Sequence, residues 1–77
     1  MLDIINNMMR SNNYYICLYN NYIYIFNYLS IISFDNNLIM LKFDKFNLKI
    51  KGYNMLIKKM EEKELLIYGN ILGVNYE

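Results

Sequence analysis

The sequence predicts an all-β fold, a small antiparallel β-sandwich or curled sheet of about seven to eight short strands. Three observations point there. β-Branched and aromatic residues recur with period two from Asn12 to Glu77, the periodicity of a pleated strand. Turn residues, chiefly Asn, Asp and Gly, interrupt that pattern at intervals of roughly eight residues. Hydrophobic residues make up 56% of the chain and proline is absent, which excludes intrinsic disorder for most of it.

Taken in order, Met1 to Ser11 mixes Asp3, Asn6 and Asn7 with apolar residues, so 1–13 reads as a lead, frayed or a short amphipathic helix, ahead of a single β domain over 14–77. Tyr14 to Tyr19 and Tyr22 to Phe26 flank Asn20-Asn21, and Asn tolerates the positive φ of a two-residue type I′ hairpin turn. Ser30 to Phe34 forms a third strand, stopped by Asp35-Asn36-Asn37. Leu38 to Phe43 then turns at Asp44-Lys45 into Phe46 to Lys51. In that strand Phe46, Leu48 and Ile50 face inward and Asn47, Lys49 and Lys51 face water. Gly52 is read as its end. Met55 to Lys58 makes the next strand, Glu61-Glu62-Lys63 a polar turn, Glu64 to Tyr68 a strand closed by Gly69-Asn70, and Ile71 to Tyr76 the last. A helix over 55–67 is the competing reading, since many residues there tolerate it, but Gly52, Gly69 and the β-branched ends favour strands.

Composition narrows the function. Asn, Ile, Tyr and Lys supply 41 of the 77 residues, while Ala, Thr, Gln, Pro, His and Trp are missing. A- and T-rich codons encode those four abundant residues, so an AT-rich genome accounts for much of the Asn and Tyr content. Histidine is absent and cysteine occurs once, at Cys17, which removes a disulfide framework, zinc-finger spacings and histidine-based acid-base catalysis. We therefore expect no enzyme, no cofactor and no small-molecule substrate. Ser11 to Phe34 is free of charged residues and long enough to span a bilayer, but its scattered Asn and Ser residues each need a partner in lipid, against a spanning helix. No basic n-region precedes an apolar core, so no signal peptide is read and a cytosolic location is expected.

Net charge is +1, but residues 42–59 are strongly basic and 60–77 acidic. Lys42, Lys49, Lys51 and Lys58 offer an interaction surface, for an acidic protein, a membrane surface or, less favoured, single-stranded nucleic acid with exposed tyrosines as stacking partners. The plainer reading is a solvated sheet face that blunts an edge. Glu61, Glu62 and Glu64 are the only clustered carboxylates; lying on a turn, they read as solvated side chains rather than a Ca²⁺ or Mg²⁺ site. Cys17 has no basic neighbour in sequence and reads as a filler rather than a nucleophile. Gly52, Gly69 and Gly73 match no phosphate-binding spacing.

The hairpin carries the remaining signal. Tyr14, Tyr15, Tyr19, Tyr22, Tyr24 and Phe26 lie on two adjacent strands whose other side holds Ile16, Leu18, Ile23 and Ile25. Two apolar faces exceed what a half-exposed sheet requires, so one of them is expected to meet a second copy or another protein.

The run Ile16 to Asn21, then Ile23 to Tyr28, Ile31 to Asp35, Ile39 to Leu41, Leu48 to Gly52, Met55 to Ile57 and Glu64 to Ile71 resembles the YabP/YqfC family of bacterial sporulation proteins. Strands and two glycines follow the family's order over residues 14–76, with Ser30 where the family's turn has glycine. The resemblance implies a role in endospore formation in the mother cell of a low-GC bacterium. It implies a cytoplasmic protein, peripheral at the inner face of a membrane, acting as an assembly or docking module with a sporulation membrane protein as partner. It brings no catalytic, metal or cofactor residues.

Overall fold

A computed structural model describes residues 14–77. These residues form six strands: β1 (Tyr15–Tyr19), β2 (Tyr22–Phe26), β3 (Ser30–Phe34), β4 (Leu38–Lys42), β5 (Asn47–Met60) and β6 (Glu64–Tyr76). All neighbours run antiparallel in one sheet of order β1-β2-β6-β5-β4-β3. Neither the expected seven to eight strands nor the two-sheet sandwich forms. The expected strands over 46–51 and 55–58 merge through Gly52 into the 14-residue β5, which begins at Asn47, and those over 64–68 and 71–76 merge through Gly69 into the 13-residue β6. The two glycines, expected to end strands, are bends within them. The helix weighed for 55–67 is likewise replaced by β5 and β6, and the lead 1–13 lies outside the described residues.

The bend is built from contacts that leave no room for a side chain. A Cβ on Gly52 would run into the Asn70 carbonyl oxygen, and one on Gly69 would lie 2.7 Å from Met55 Cα and 2.9 Å from the Asn54 carbonyl oxygen. Asn54 takes φ 55°, a left-handed conformation that Asn adopts more readily than most residues. The β5–β6 register shifts between Lys51 and Gly52 and again between Tyr53 and Leu56, and extra residues of this kind bend the bulged strand. Asn36 and Asn37 carbonyls accept from Met55 N–H at 3.0 Å and Gly52 N–H at 3.1 Å, so the backbone groups released by the bend find partners.

Chain connectivity requires the sheet to curl. β2 and β3 are separated by β6, β5 and β4, which in a flat sheet puts them about 19 Å apart. Only Asn27, Tyr28 and Leu29 join Phe26 to Ser30, a span of at most about 14 Å. The connection is stitched to both halves, Asn27 N–H donating to Lys63 O at 2.6 Å and Leu29 N–H to Lys42 O at 2.8 Å. The sheet therefore folds over, with β1, β2 and one end of β5 and β6 facing β3, β4 and the other end.

Between the halves lies one core. Ile23 and Ile25 of β2, Ile39 and Leu41 of β4, Leu48 and Ile50 of β5, and Leu65 and Ile67 of β6 are fully buried. The register places Leu18, Ile23, Ile67 and Ile57 in one inward row, and Ile16, Ile25, Leu65 and Met60 in the next. The alternation read for Phe46 to Lys51 holds: Leu48 and Ile50 are buried and Lys51 is exposed. Truncating Ile67 to Ala should lower stability by about 2–5 kcal/mol, measured as an earlier urea midpoint at unchanged slope.

Aromatic rings close one end of the curl. Phe43 and Phe46 stack at 4.8 Å, Tyr14 meets both edge-on at 5.4 and 4.9 Å, and Tyr76 meets Phe46 edge-on at 4.8 Å. The hairpin turn keeps its two residues but not the expected type. Positive φ falls on Asn20 alone, at 52°, whereas a type I′ turn needs it at both central residues.

Candidate functional site

Alternation gives the β1–β2–β6 half an outer face, and the register orders it into rows. Tyr19, Tyr22, Tyr68 and Leu56 form one cross-strand row. Cys17, Tyr24, Leu66 and Lys59 form the second, and Tyr15, Phe26 and Glu64 the third. The candidates Tyr15, Tyr19, Tyr22, Tyr24 and Phe26 thus share one surface, with Tyr19 68% exposed and Leu56 45% exposed. Tyr68, Leu66 and Leu56 were missed, because only the β2–β6 and β5–β6 registers carry them there.

Ring contacts hold the rows in place. Tyr22 and Tyr68 lie 4.9 Å apart between centroids, and Tyr15 and Tyr24 6.2 Å. Such pairs contribute about 0.5–1.5 kcal/mol beyond their buried area. The Tyr24 hydroxyl donates to Glu64 Oε1 at 2.6 Å. Burial first, then that hydrogen bond and the charge of Glu64, push the Tyr24 phenol up to about 12. A hydrogen bond with Cys17 holds the Tyr15 phenol above its ordinary value.

The sign of the resulting pH dependence follows. An unfolded tyrosine ionises near pH 10, so between pH 10 and about 12 the unfolded chain gives up a proton that folded Tyr24 keeps. This contribution to stability is complete below pH 10 and is lost as pH rises through that window. A phenolate absorbance titration of the folded protein should show a step near pH 12 that Tyr24→Phe removes.

The lysines divide between the two halves. Lys42, Lys49 and Lys51 lie on the outer face of the β4–β5 half, opposite Asn47, Met40 and Leu38 of the neighbouring strand, with Asn75 and Gly73 beside Lys49 and Lys51 on β6. No aromatic ring sits directly across from any of the three. Lys49 Nζ pairs with Glu77 Oε2 at 3.2 Å, a part-exposed pair of modest energy. Lys58 does not join them. The bend and the bulge between Ile57 and Lys59 carry it to the tyrosine face, where its Nζ lies 5.6 Å from the Tyr68 ring centroid, within cation–π range.

The carboxylates do not converge. Glu64 is engaged by Tyr24, the Glu61 side chain lies 3.8 Å from Lys59 Nζ, and Glu62 is exposed on the turn. Among the described residues no three acidic or thiol side chains gather in a metal-binding arrangement. An open cleft of about 840 Å³ lies at the aromatic end, lined by Tyr14, Tyr28, Leu29, Phe43 and Phe46, with Asp44, Lys45, Glu62 and Lys63 around it. The buried Tyr28 directs its hydroxyl to the Glu61 carbonyl at 3.1 Å.

Two outer faces, one of tyrosines and one of lysines, on a six-stranded curled sheet restate in three dimensions the order of strands and glycines that the sequence showed. The YabP family matches residues 11–77. The chain belongs to that family. Membership in the YabP family associates it with sporulation. No curated protein matches the chain. Among the described residues of this YabP-family chain no helix is long and apolar enough to cross a membrane.

Proposed function

We propose that the chain is a non-enzymatic docking module of endospore formation, working in the mother-cell cytosol and held at a membrane by a protein partner. One observation carries this reading. The inner face of the β1–β2–β6 half fills the core, and the outer face is apolar too, with Tyr19, Tyr22, Tyr68 and Leu56 in a continuous row. Tyrosine suits such a surface, since it combines a large apolar body with a polar tip and few rotatable bonds. A soluble monomer gains nothing from leaving that row open, whereas a partner's apolar segment gains its burial.

Deleting the gene in its host should abolish heat-resistant spores while vegetative growth continues. Normal sporulation in a strain with no second copy would remove the proposed role. The mode of attachment has its own signature. Apolar docking holds in high salt, whereas binding of nucleic acid through Lys42, Lys49 and Lys51 would fall steeply with it. We expect the protein from sporulating cells to stay with the membrane fraction through a high-salt wash.

A further inference from the structure

We propose that the free edge of β1 pairs with the β1 edge of a second copy, in antiparallel register about a twofold axis through Cys17. Among the described residues β1 is the outermost strand on its side of the sheet. Edges of this kind are normally blunted by lysine, proline or a bulge. The other edge, β3, carries a bulge between Ile31 and Ser33. β1 has none of these, being Tyr15-Ile16-Cys17-Leu18-Tyr19 in unbroken register with β2.

The strand is close to a palindrome. Antiparallel pairing about Cys17 sets Tyr15 against Tyr19 of the second copy and Ile16 against Leu18, so every residue meets its own kind and each face continues as the same face. This is the self-complementarity that a twofold interface requires. No charge on β1 opposes the approach of a like strand. Leu18, on the inward row but 59% exposed with no strand beyond it among the described residues, gains the neighbour its position lacks.

Backbone polarity agrees. The two-residue loop closes on a hydrogen-bonded Tyr19–Tyr22 pair, so Tyr15, Cys17 and Tyr19 direct their N–H and C=O groups toward β2. Ile16 and Leu18 direct theirs outward. In the proposed register Ile16 and Leu18 of each copy exchange about four hydrogen bonds, and Cys17 faces its counterpart at a non-hydrogen-bonded site, with Cα atoms about 4.5 Å apart. The dimer is a 12-stranded sheet, twice the six of one copy, and its tyrosine rows run on across the axis.

The test uses the full chain. Under reducing conditions, sedimentation equilibrium from micromolar to several hundred micromolar protein should show a monomer–dimer equilibrium. Mild oxidation with copper-phenanthroline should convert the dimer to a disulfide-linked species, two thiols giving up two electrons and two protons to the oxidant. Cysteine occurs only at position 17, and the expected Cα spacing falls within disulfide range. Leu18→Lys, at an exposed site, should weaken association at least roughly tenfold with an unchanged circular dichroism spectrum. A monomer at every concentration overturns the proposal and leaves the edge to a strand of other origin. A dimer that resists oxidation at Cys17 overturns it as well, whether or not the variant folds. Neither result touches the docking role proposed for the tyrosine face.

Discussion

Replacing Gly69 with Val, or Gly52 with Val, should lower the thermal midpoint by roughly 15 °C or more. At both sites the added atoms meet backbone rather than the end of a flexible side chain: the Asn70 carbonyl at Gly52, and Met55 Cα at 2.7 Å with the Asn54 carbonyl at 2.9 Å at Gly69. Backbone cannot swing aside, so β5 and β6 must separate where both strands bend. Overpacking of this sort costs about 1–3 kcal/mol and occasionally more, against a total stability of about 4–11 kcal/mol for a chain of this size. Gly52→Ala alone should lower the thermal midpoint by roughly 10 °C, at about 4–8 °C per kcal/mol for a small domain. Gly73 is the internal control, since the nearest atom to an added Cβ is Asn75 Nδ2 at 4.0 Å. Gly73→Ala should stay within about 0.5 kcal/mol of the parent. Thermal melts of the four variants decide between a packing role at the bend and a generic effect of glycine replacement.

The second large effect is expected on sporulation rather than on stability. Tyr19→Lys with Leu56→Lys places two ammonium groups at the two ends of the Tyr19–Tyr22–Tyr68–Leu56 row. Both sites are well exposed, so the thermal midpoint should move by only a few degrees. A docked partner would have to strip water from both charges. An anchoring contact contributes about 2 kcal/mol or more, so losing both should weaken docking by roughly a thousandfold, and heat-resistant spores should fall sharply with normal amounts of folded protein in the cell. The matching change on the other face, Lys42→Ala with Lys51→Ala, should leave the count near the parent's. Equal losses from the two pairs, or a loss confined to the lysine pair, would reject the tyrosine face as the docking surface.

How much of this was legible in the sequence varies with the range of the interaction that decides it. Alternation in Phe46 to Lys51 and in Tyr22 to Phe26 assigns faces correctly, because side-chain direction in a strand is a local property. The first four strands begin and end close to the expected places. Gly52 and Gly69 were misread, since a glycine that stops a strand and one that lets two backbones touch look alike until the partner strand is known. The same gap explains the site. Tyr15, Tyr19, Tyr22, Tyr24 and Phe26 fall on one hairpin and are found together from sequence, whereas Tyr68 reaches them only through the pairing of β2 with β6. Lys58 shares a basic stretch with Lys49 and Lys51, yet one bend and one bulged residue send it to the opposite half.

The length of β5 and β6 also governs how the molecule can come apart. Each strand, 14 and 13 residues long, lends one end to each half of the curl. Neither half owns a complete set of strands, so there is no smaller unit that can open while the rest stays intact. Amide exchange in the buried rows of both halves should therefore run through a single global opening, with similar protection for Ile25, Ile39, Ile50 and Ile67. To a protease the protein presents one all-or-none event, and the cell either has the whole module or loses it in one step.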